Sequence, residues 1–339
     1  MDDNSLTKKI ADSYELANNV LEHIPNPLVS IRTSAYNHGP YIKQCIEGVL
    51  MQRTNFPFEY IIGEDFSNDE TREIVFEYAK KYPNIIRVIT ADYNVGSRAN
   101  GRRCIQACRG KYMAICEGDD YWIDPLKLQK QVDFLESHPD YGLIYTQAKV
   151  LQGKKYVQIV GSEVKDFRDL LLGGNRIPTL TTCFVRELQK EYIYQVVEKW
   201  HKAWKMGDYP LWLFLSHRTK IKYLEDVTSV YRMLPESASH SKNITKMVQF
   251  SESIYDIRLF FLEHFYNGED VELIKRRILE DKVWGIFRYY FVLDEERQAF
   301  EYLRCNKNDV YGKRRIVGFL MKYSSLIKNI LKNKWVKQM

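Results

Sequence analysis

The chain has 339 residues, of which 45% are hydrophobic, 14% aromatic and 28% charged. This length suffices for one large domain with an appendage or for two small domains, and the composition excludes collagen-like, low-complexity and mostly disordered chains. The formal net charge is +6, but residues 311–339 hold eight Lys and Arg and no acid, so the first 310 residues sum to −2. A nucleic-acid-binding face on the main body is therefore disfavoured, because phosphate binding requires clustered positive charge.

The cysteines and the apolar runs indicate the cellular compartment. The six cysteines form no CxxC pair, which favours reduced and buried thiols over a disulfide framework. The N-terminus lacks the apolar core of a signal peptide, and no uncharged apolar stretch of 18 residues occurs in the chain. We therefore expect a cytoplasmic protein without a membrane span.

From residue 27 to about residue 150, short apolar runs alternate with longer amphipathic ones, which predicts strand and helix units around a mostly parallel sheet. The predicted strands are 28–34, 58–63, 85–90, 112–116, 143–150, 155–160 and 180–185. The predicted helices are 41–52, 71–82, 97–109, 127–138 and a buried one at 209–215. Ligands bind at the carboxyl ends of parallel strands in open α/β sheets, so the residues after each strand are site candidates.

Three regions are predicted along the chain. Residues 1–26 form an N-terminal helical extension, residues 27–240 form the α/β domain, and residues 241–339 form a helical appendage. The appendage ends in a basic amphipathic helix, because apolar residues recur there at helical spacing among lysines. Its cations, with Phe319, Leu320 and Trp335, favour peripheral contact of residues 311–339 with an anionic membrane. The alternatives are a solvated terminal helix and a protein contact.

Closely spaced acids follow two of the predicted strands. Glu117-Gly118-Asp119-Asp120 follows the fourth strand, and Asp65 follows the second. Neighbouring carboxylates repel one another unless a cation or a proton lies between them, and hard oxygen ligands suit Mg²⁺ or Mn²⁺. A string of this kind arises by chance about 0.7 times in a chain of this length and acid content, so the motif alone also fits a solvated turn.

Five motifs occur in an order that resembles the family 2 glycosyltransferases, which are inverting enzymes with the nucleotide-sugar-binding GT-A fold. The motifs are Ala35-Tyr36-Asn37, Glu64-Asp65-Phe66-Ser67-Asn68-Asp69, Asn94-Val95-Gly96 with Arg98, Gly110-Lys111-Tyr112 leading to Glu117-Gly118-Asp119-Asp120, and Gly207-Asp208-Tyr209 with Tyr231-Arg232 downstream. The resemblance covers about residues 27–240. It implies a GT-A fold with a mostly parallel central sheet and, because the processive QxxRW signature is absent, the addition of single sugars.

The resemblance also implies a nucleoside-diphosphate sugar donor, with a UDP-hexose expected. Glu64 and Asp65 occupy the position of the acidic pair that contacts base and ribose, and carboxylates can accept hydrogen bonds from both. Arg98 is the best of three arginines near one helix start, where the helix end and an arginine both favour a diphosphate. The remaining residues assigned to the donor site are Ala35, Tyr36, Asn37, Asn94, Gly96, Glu117, Gly118, Asp120 and Trp122.

Two of these motifs have a structural alternative. Trp122 follows the acidic turn, and its ring would either stack on a sugar or pack in the core. Asp69 is interpreted mainly as a helix cap rather than as a ligand-binding residue.

The resemblance assigns the metal and the base to further acidic residues. Asp119 matches the metal ligand of the family's DxD motif, in which Glu117 stands for the first Asp, so we expect it to bind Mn²⁺ or Mg²⁺. Such a cation stabilises the charge on a departing diphosphate. His240 is a further candidate, either as a metal ligand or in contact with the diphosphate, with a structural or solvated role as the alternative. Asp208 matches the general base that takes the proton from the acceptor hydroxyl, with a helix N-cap as its alternative role.

The implied function is an inverting, metal-dependent glycosyltransferase. Its acceptor would be a glycan or a lipid-linked glycan in bacterial surface polysaccharide or lipopolysaccharide synthesis, in the cytoplasm or on the inner face of the cytoplasmic membrane. Residues 173–179 form a flexible loop where family members recognise the acceptor. The alternative is a catalytically silent nucleotide-sugar-binding or scaffolding protein on the same fold, which Glu117 and Gly207 leave open.

Overall fold

The computed structural model of the protein describes residues 3–200, 204–234, 243–310, 314, 317–318, 321 and 325–336. The chain divides into two compact units. The first unit consists of residues 1–166, 175–201 and 215–233, and the second consists of residues 167–174, 202–214 and 234–339. Each unit therefore combines segments that are distant in sequence.

The first unit is built on one sheet, which has ten strands among the residues described. In chain order they are β1 (Tyr14–Glu15), β2 (Val29–Ala35), β3 (Phe58–Glu64), β4 (Ile86–Thr90), β5 (Tyr112–Ile115), β6 (Tyr121–Trp122), β7 (Tyr141–Gln152), β8 (Lys155–Val160), β9 (Cys183–Val185) and β10 (Lys220–Arg232). Their order in the sheet is β1-β4-β3-β2-β5-β9-β7-β10-β6, and β8 pairs with β7.

The helices that the structure describes are, in chain order, α1 (Asp3–Ala11), α2 (Val20–His23), α3 (Gly39–Leu50), α4 (Thr71–Lys81), α5 (Ser97–Ala107), α6 (Lys127–Ser137), α7 (Phe167–Gly173), α8 (Arg186–Tyr192), α9 (Asp208–Arg218), α10 (Ile244–Phe265), α11 (Val271–Val292), α12 (Glu296–Cys305) and α13 (Ser325–Val336). A π-helical segment, Ile193–Glu198, continues α8. Helices α3 to α6 follow the strands of the sheet as the alternating pattern predicts.

The centre of the sheet is parallel. Strands β4, β3, β2 and β5 run in the same direction, and the register pairs Ala35 with Glu64. The flanking strands β1, β6, β8 and β9 are antiparallel to their partners, whereas β10 is parallel to β7. The prediction of a mostly parallel central sheet is confirmed, and the carboxyl ends of β2 and β3 lie level with each other.

The core of this unit lies between the sheet and the helices beside it. Ile31 of β2 and Ile62 of β3 are fully buried, together with Ile46 of α3 and Val132 of α6. Strands that are covered on both faces are expected to carry near-continuous apolar runs, and β3 and β4 do so. All six cysteines are free and five of them are buried, as the absence of CxxC pairs predicts.

A buried carboxylate ties the N-terminal segment to the sheet. Glu59 of β3 accepts hydrogen bonds from Ser30 Oγ at 2.6 Å, Arg87 Nη1 at 3.0 Å and Arg109 Nη2 at 2.7 Å. Arg87 also pairs with Glu15 of β1 at 2.8 Å. The segment predicted to be purely helical therefore also supplies a strand, which pairs with β4.

The second unit is helical, as predicted for the C-terminal region. On α13, Trp335 is 6% exposed, and its ring centroid lies 6.4 Å from Phe287 and 6.0 Å from Phe291 of α11. Lys328 pairs with Glu296 at 2.5 Å, and Lys332 pairs with Asp294. Trp335 is thus a core residue, which corrects its predicted role in membrane contact; Phe319 and Leu320 lie outside the described residues.

Within the described part of the chain, no helix combines the length with the apolar composition that crossing a bilayer requires.

Candidate functional site

The turns after β2 and β3 are bonded to each other at the carboxyl edge of the sheet. Asn37 has a φ of 54°, its amide donates to Ser67 Oγ at 3.1 Å, and its Oδ1 accepts from the Asn68 amide at 2.9 Å. The ring of Tyr36 is 40% exposed at this edge. These bonds fix the backbone on both sides of an accessible aromatic ring.

Asp69 caps two helices at once. Its Oδ2 accepts from the Gly39 amide at 2.8 Å at the start of α3, and its Oδ1 accepts from the Thr71 amide at 3.0 Å at the start of α4. Burial alone would raise the pKa of Asp69, but the hydrogen bonds from Thr71 and Gly39 outweigh it and hold the pKa below its ordinary value. The interpretation of Asp69 as a cap is confirmed by these contacts.

Glu64, predicted to contact the nucleotide, is fully buried at the end of β3. Its Oε2 accepts from Arg72 at 2.7 Å and from Thr90 Oγ1 at 3.0 Å, and its Oε1 accepts from the Ser67 amide at 2.7 Å. Both oxygens are engaged inside the protein. The predicted direct contact is therefore corrected to a supporting role, because Glu64 is buried and its hydrogen-bonding capacity is used within the protein.

Asp65 shapes the loop that precedes α5. It is 2% exposed, its Oδ1 accepts from the Val95 amide at 2.8 Å, and its Oδ2 accepts from the Gly96 amide at 3.0 Å. Asn94 Nδ2 donates to the Asp65 carbonyl at 3.0 Å, and Gly96 has a φ of 88°, which favours glycine. Burial raises the pKa of Asp65. The hydrogen bonds from these amides and the charge of Arg103 lower it, but they do not cancel the effect of burial. A direct contact of Asp65 with a nucleotide stays a prediction.

The three arginines of α5 have different environments. Arg103 is buried and donates to the Glu64 carbonyl at 2.8 Å, while Arg102 pairs with Glu198. Arg98, in the first turn of the helix, is exposed and has no hydrogen bond or ion pair with the residues that the structure describes. Arg98 is therefore the one of the three with a guanidinium available to an anion.

The acidic turn after β5 lies beside the end of β2. The Gly118 amide donates to the Ser34 carbonyl at 3.1 Å, and the Asp120 amide donates to the Glu117 carbonyl at 2.9 Å. Cys45 Sγ of α3 donates to the same Glu117 carbonyl at 3.3 Å. The turn is thus held at the same sheet edge as the turns after β2 and β3.

The carboxylates of this turn repel one another. Burial raises the pKa of Glu117, and the negative charge of Asp119 raises it further. Arg32, which lies 3.6 Å from Glu117, lowers this pKa in part. Burial also raises the pKa of Asp120 well above its ordinary value, and Asp119 adds to this shift. Asp119 and Glu117 are partly exposed, whereas Asp120 is 4% exposed. A cation at Asp119 would relieve this repulsion.

Arg232, at the end of β10, anchors the turn from the other side. Its amide donates to Asp120 Oδ1 at 2.8 Å, and its Nη1 donates to the Asp119 carbonyl at 2.5 Å. The guanidinium lies 4.4 Å from the ring centroid of Tyr121 and 5.1 Å from that of Tyr41. Asp120 is therefore a positioning residue of the turn, which corrects its predicted contact with the donor.

The donor atoms of the turn fit a hard divalent cation. The side chains of Asp119 and Glu117 offer oxygen ligands alone, which suits Mg²⁺ or Mn²⁺. Within the described ranges, no group of three or more His, Cys, Asp or Glu could hold a metal. Mg²⁺ commonly binds through one or two carboxylates together with substrate phosphates, so such a cage is not required. His240 lies outside the described residues.

Trp122 packs in the core. It is 1% exposed, its Nε1 donates to the Leu180 carbonyl at 2.7 Å, and Lys127 Nζ lies 4.2 Å from the ring centroid. Burial lowers the pKa of this lysine to about 8. The ring is therefore not accessible to a sugar, and the prediction that it contacts the donor is wrong.

Asp208 belongs to the second unit, where it begins α9. Its Oδ1 accepts from the Tyr209 amide at 2.8 Å, and residues 209–215 are buried, as predicted. The carboxylate thus lies at a helix N-terminus, as predicted from the sequence.

These turns can be compared with known proteins. Residues 30–185 match the family model "Glycosyl transferase family 2", a range that includes the acidic turn but neither Asp208 nor Arg232. The uncharacterized protein Rv1520 of Mycobacterium tuberculosis is 45% identical over 123 residues, which are 36% of each chain. The putative teichuronic acid biosynthesis glycosyltransferase TuaG of Bacillus subtilis is 35% identical over 109 residues, 32% of this chain and 42% of TuaG. The chain thus matches little more than a third of the length of the first of these relatives.

A solved structure has the same fold. The crystal structure of S. aureus TarS residues 1–349 in complex with UDP-GlcNAc superimposes with a TM-score of 0.60 at 16% identity, covering 91% of each chain. The chain therefore has the GT-A fold. The family 2 glycosyltransferase model matches residues 30–185, a little under half of this chain.

Two contacts of the site were not predicted from the sequence. Arg32 lies beside Glu117, and His38 Nδ1, close to Gly118, is a buried atom without a hydrogen-bond partner among the residues described. Both residues come from the end of β2 and the turn after it. No local signal reveals them, because they are brought to the acidic turn by strand pairing.

Gly118 is predicted to be essential for the shape of the turn. A Cβ at this position would lie 2.5 Å from His38 Nδ1 and 3.0 Å from the Ser34 carbonyl oxygen. Gly118→Ala should therefore lower the free energy of unfolding by about 1–3 kcal/mol, measured by denaturant titration.

Gly101→Ala is the matched control, because a Cβ there meets no heavy atom within 4 Å on α5. It should leave stability unchanged or raise it by up to about 1 kcal/mol. Equal stabilities of the two variants would contradict the close approach at Gly118.

Proposed function

We propose that the protein is an inverting, metal-dependent glycosyltransferase that uses a nucleoside-diphosphate sugar, a UDP-hexose by preference. The observation that carries this proposal is the meeting of three turns at one sheet edge: the turn with exposed Tyr36, the loop before Arg98, and the acidic turn with Asp119. Each offers a different chemical group to one ligand. A family 2 domain over the same residues supports the reaction class.

The three turns suit the three parts of the donor. Ala35, Tyr36 and Asn37 would contact the nucleoside, with Asp65 beside them. Asn94, Gly96 and Arg98 would bind the diphosphate, because the exposed guanidinium stands in the first turn of α5, where helix amides favour anions. Glu117, Gly118 and Asp119 would face the sugar and the metal.

Asp119 would hold the cation, with Glu117 as its partly exposed neighbour. A bound Mn²⁺ or Mg²⁺ supplies Lewis-acid stabilisation of the negative charge on the leaving diphosphate. The role of Asp120 and Arg232 is to keep the Asp119 backbone in place through the bonds at 2.8 Å and 2.5 Å. His240 stays a sequence-based candidate for the same ion.

Asp208 would act as the general base that removes the proton from the acceptor hydroxyl while its oxygen attacks the anomeric carbon. A general base contributes about 10² to 10⁴ in rate, or 3–5 kcal/mol, whereas enzymes typically supply about 8–23 kcal/mol. Most of the acceleration must therefore come from positioning and from charge stabilisation at the diphosphate.

The acceptor is proposed to be a glycan or a lipid-linked glycan of a bacterial surface polysaccharide. The name of the relative TuaG, a putative teichuronic acid biosynthesis glycosyltransferase, supports this class. The competing proposal is a catalytically silent nucleotide-sugar-binding or scaffolding protein on the same fold, which Glu117 and Gly207 leave open.

The donor and the metal can be tested together. We expect one of the UDP, GDP, CMP or dTDP sugars to raise the melting temperature and to be hydrolysed slowly with Mn²⁺ or Mg²⁺ but not with EDTA. Asp119→Asn should abolish the metal-dependent shift and lower hydrolysis about 10²-fold or more, because charge stabilisation at the leaving group is lost.

Asp133→Asn, at an exposed position of α6, is the control and should behave like the unmodified protein. If Asp119→Asn hydrolyses the donor in the presence of metal at nearly the rate of the unmodified protein, Asp119 is not a ligand of the metal. Failure of every donor to bind would instead favour the silent scaffold.

The base can be separated from the metal by a second variant. Asp208→Asn should lower hydrolysis of the donor by about 10²–10⁴-fold and leave the donor-induced melting shift unchanged, since water also needs a base to attack. Asparagine caps helices as well as aspartate does, so stability should be retained. Unchanged hydrolysis would reduce Asp208 to a cap, and Glu77→Gln on the exposed face of α4 serves as the control.

We propose that the protein is cytoplasmic and contacts the anionic inner face of the membrane, because residues 311–339 are strongly basic.

Substitution of lysines tests this contact better than deletion of the segment, because deletion would remove Trp335 from its contacts with Phe287 and Phe291. The combined variant Lys313→Gln, Lys322→Gln, Lys334→Gln and Lys337→Gln should co-sediment far less with phosphatidylserine vesicles, since each lysine contributes about 1 kcal/mol. Its co-sedimentation with neutral vesicles should be the same as that of the unmodified protein. Equal recovery of the unmodified protein in the supernatant with both vesicles would exclude the contact.

A further inference from the structure

The second unit contains a cavity of about 550 Å³ between α10 and the segment at Trp204 and Lys205. Small-molecule sites in proteins commonly have volumes of about 300–1,000 Å³. All of the lining residues belong to this unit, and none of them belongs to the three turns of the candidate donor site.

One face of α10 supplies the polar groups of the cavity. Gln249, Glu252, Ser253, Asp256 and Glu263 line it; the first four are spaced three or four residues apart and Glu263 follows Asp256 by seven, so all five lie on one side of the helix. Carboxylate and amide groups of this kind accept and donate hydrogen bonds, as a polyhydroxylated ligand requires.

An aromatic ring also lines the cavity. Trp204 is partly exposed, and its ring lies edge-to-face with Phe260 at a centroid distance of 5.2 Å. The Lys205 amide donates to Ser253 Oγ at 2.9 Å, which ties this segment to α10. A tethered indole that is packed on one side and accessible on another is a surface on which a sugar ring can stack.

The charge of the cavity selects among sugars. Glu252, Asp256 and Glu263 oppose one lining lysine, Lys205. Lys282 of α11 approaches Asp256 at 3.5 Å and offsets part of this charge. With His264 of the lining counted as neutral, the three carboxylates exceed the two lysines by one charge, so uronic acids and phosphate-linked units would be repelled.

We propose that this cavity is a subsite for a neutral or amino-sugar unit of the acceptor glycan. The inference rests on the proposed function and names the acceptor class. The sugar ring stacks on Trp204, and its hydroxyl or ammonium groups bond to the carboxylates of α10. No bond forms or breaks at this subsite, because its role is to hold the acceptor.

The chain itself links this subsite to the proposed base. Trp204 precedes Asp208 by four residues, and four residues span at most about 14 Å. Both residues belong to the second unit. A glycan held at Trp204 therefore brings a neighbouring sugar unit within reach of the carboxylate that would deprotonate it.

The test is saturation-transfer-difference NMR on the full chain without donor, using three probes: chitotriose, the glucosamine trimer and trigalacturonate. We expect signals from at least one of the first two and none from trigalacturonate. Trp204→Ala should reduce the signals fivefold or more, whereas Tyr194→Ala, which removes an aromatic side chain that is 72% exposed outside the cavity, should not.

A second variant covers the case in which Trp204→Ala fails to fold. Glu263→Gln changes an exposed side chain and should weaken the glucosamine trimer more than chitotriose, because a carboxylate is lost. No signal from any probe, or equal signals in the unmodified protein and a folded Trp204→Ala, would overturn the subsite. Binding of trigalacturonate as strong as that of chitotriose would overturn its charge selectivity.

The outcome is separable from that of the proposed function. Hydrolysis of a donor without binding of any trisaccharide would refute the subsite alone. Binding of a trisaccharide that depends on Trp204, with no donor hydrolysed, would refute the transferase and leave a glycan-binding cavity.

Discussion

The contact between Arg232 and the turn Glu117–Asp120 holds the site together. Asp120 is buried, and its Oδ1 accepts the Arg232 amide at 2.8 Å, while the guanidinium reaches the Asp119 carbonyl at 2.5 Å. These residues are more than a hundred positions apart, so the bonds join the end of β10 to the end of β5. A buried hydrogen-bond acceptor that loses its donor costs about 1–3 kcal/mol, so these hydrogen bonds strongly constrain the turn. The orientation of Asp119 depends on it.

The acids of the site divide into two groups with different tasks. Glu64, Asp65 and Asp120 are buried and use their oxygens to bond backbone amides and side chains of neighbouring turns. Glu117 and Asp119 remain partly exposed at the same sheet edge. The division follows from solvation, because a carboxylate removed from water must find hydrogen-bond donors within the protein. A site rich in acids can thus present few of them to a ligand.

The two units contribute different chemistry to the proposed reaction. The first unit contains most of the range that the family 2 model matches, together with the three turns of the proposed donor site. The second unit carries Asp208 and the acidic cavity beside Trp204, and both lie outside the range matched by the family. Under these proposals, the groups that bind the donor come from the range that the family model matches, and those that bind the acceptor come from outside it.

The local pattern of the sequence determined the parallel centre of the sheet, the helices around it and the acidic turns at its edge. Strand 28–34, for example, was predicted one residue from its observed bounds, Val29–Ala35, because apolar periodicity and turn residues are local signals. The tertiary structure alone decided that Glu64 and Trp122 are inaccessible, that Arg232 anchors the turn, and that β1 and β10 complete the sheet. Accessibility and long-range pairing depend on which distant segments meet, and the polar, bulged β10 carries no clear period of its own.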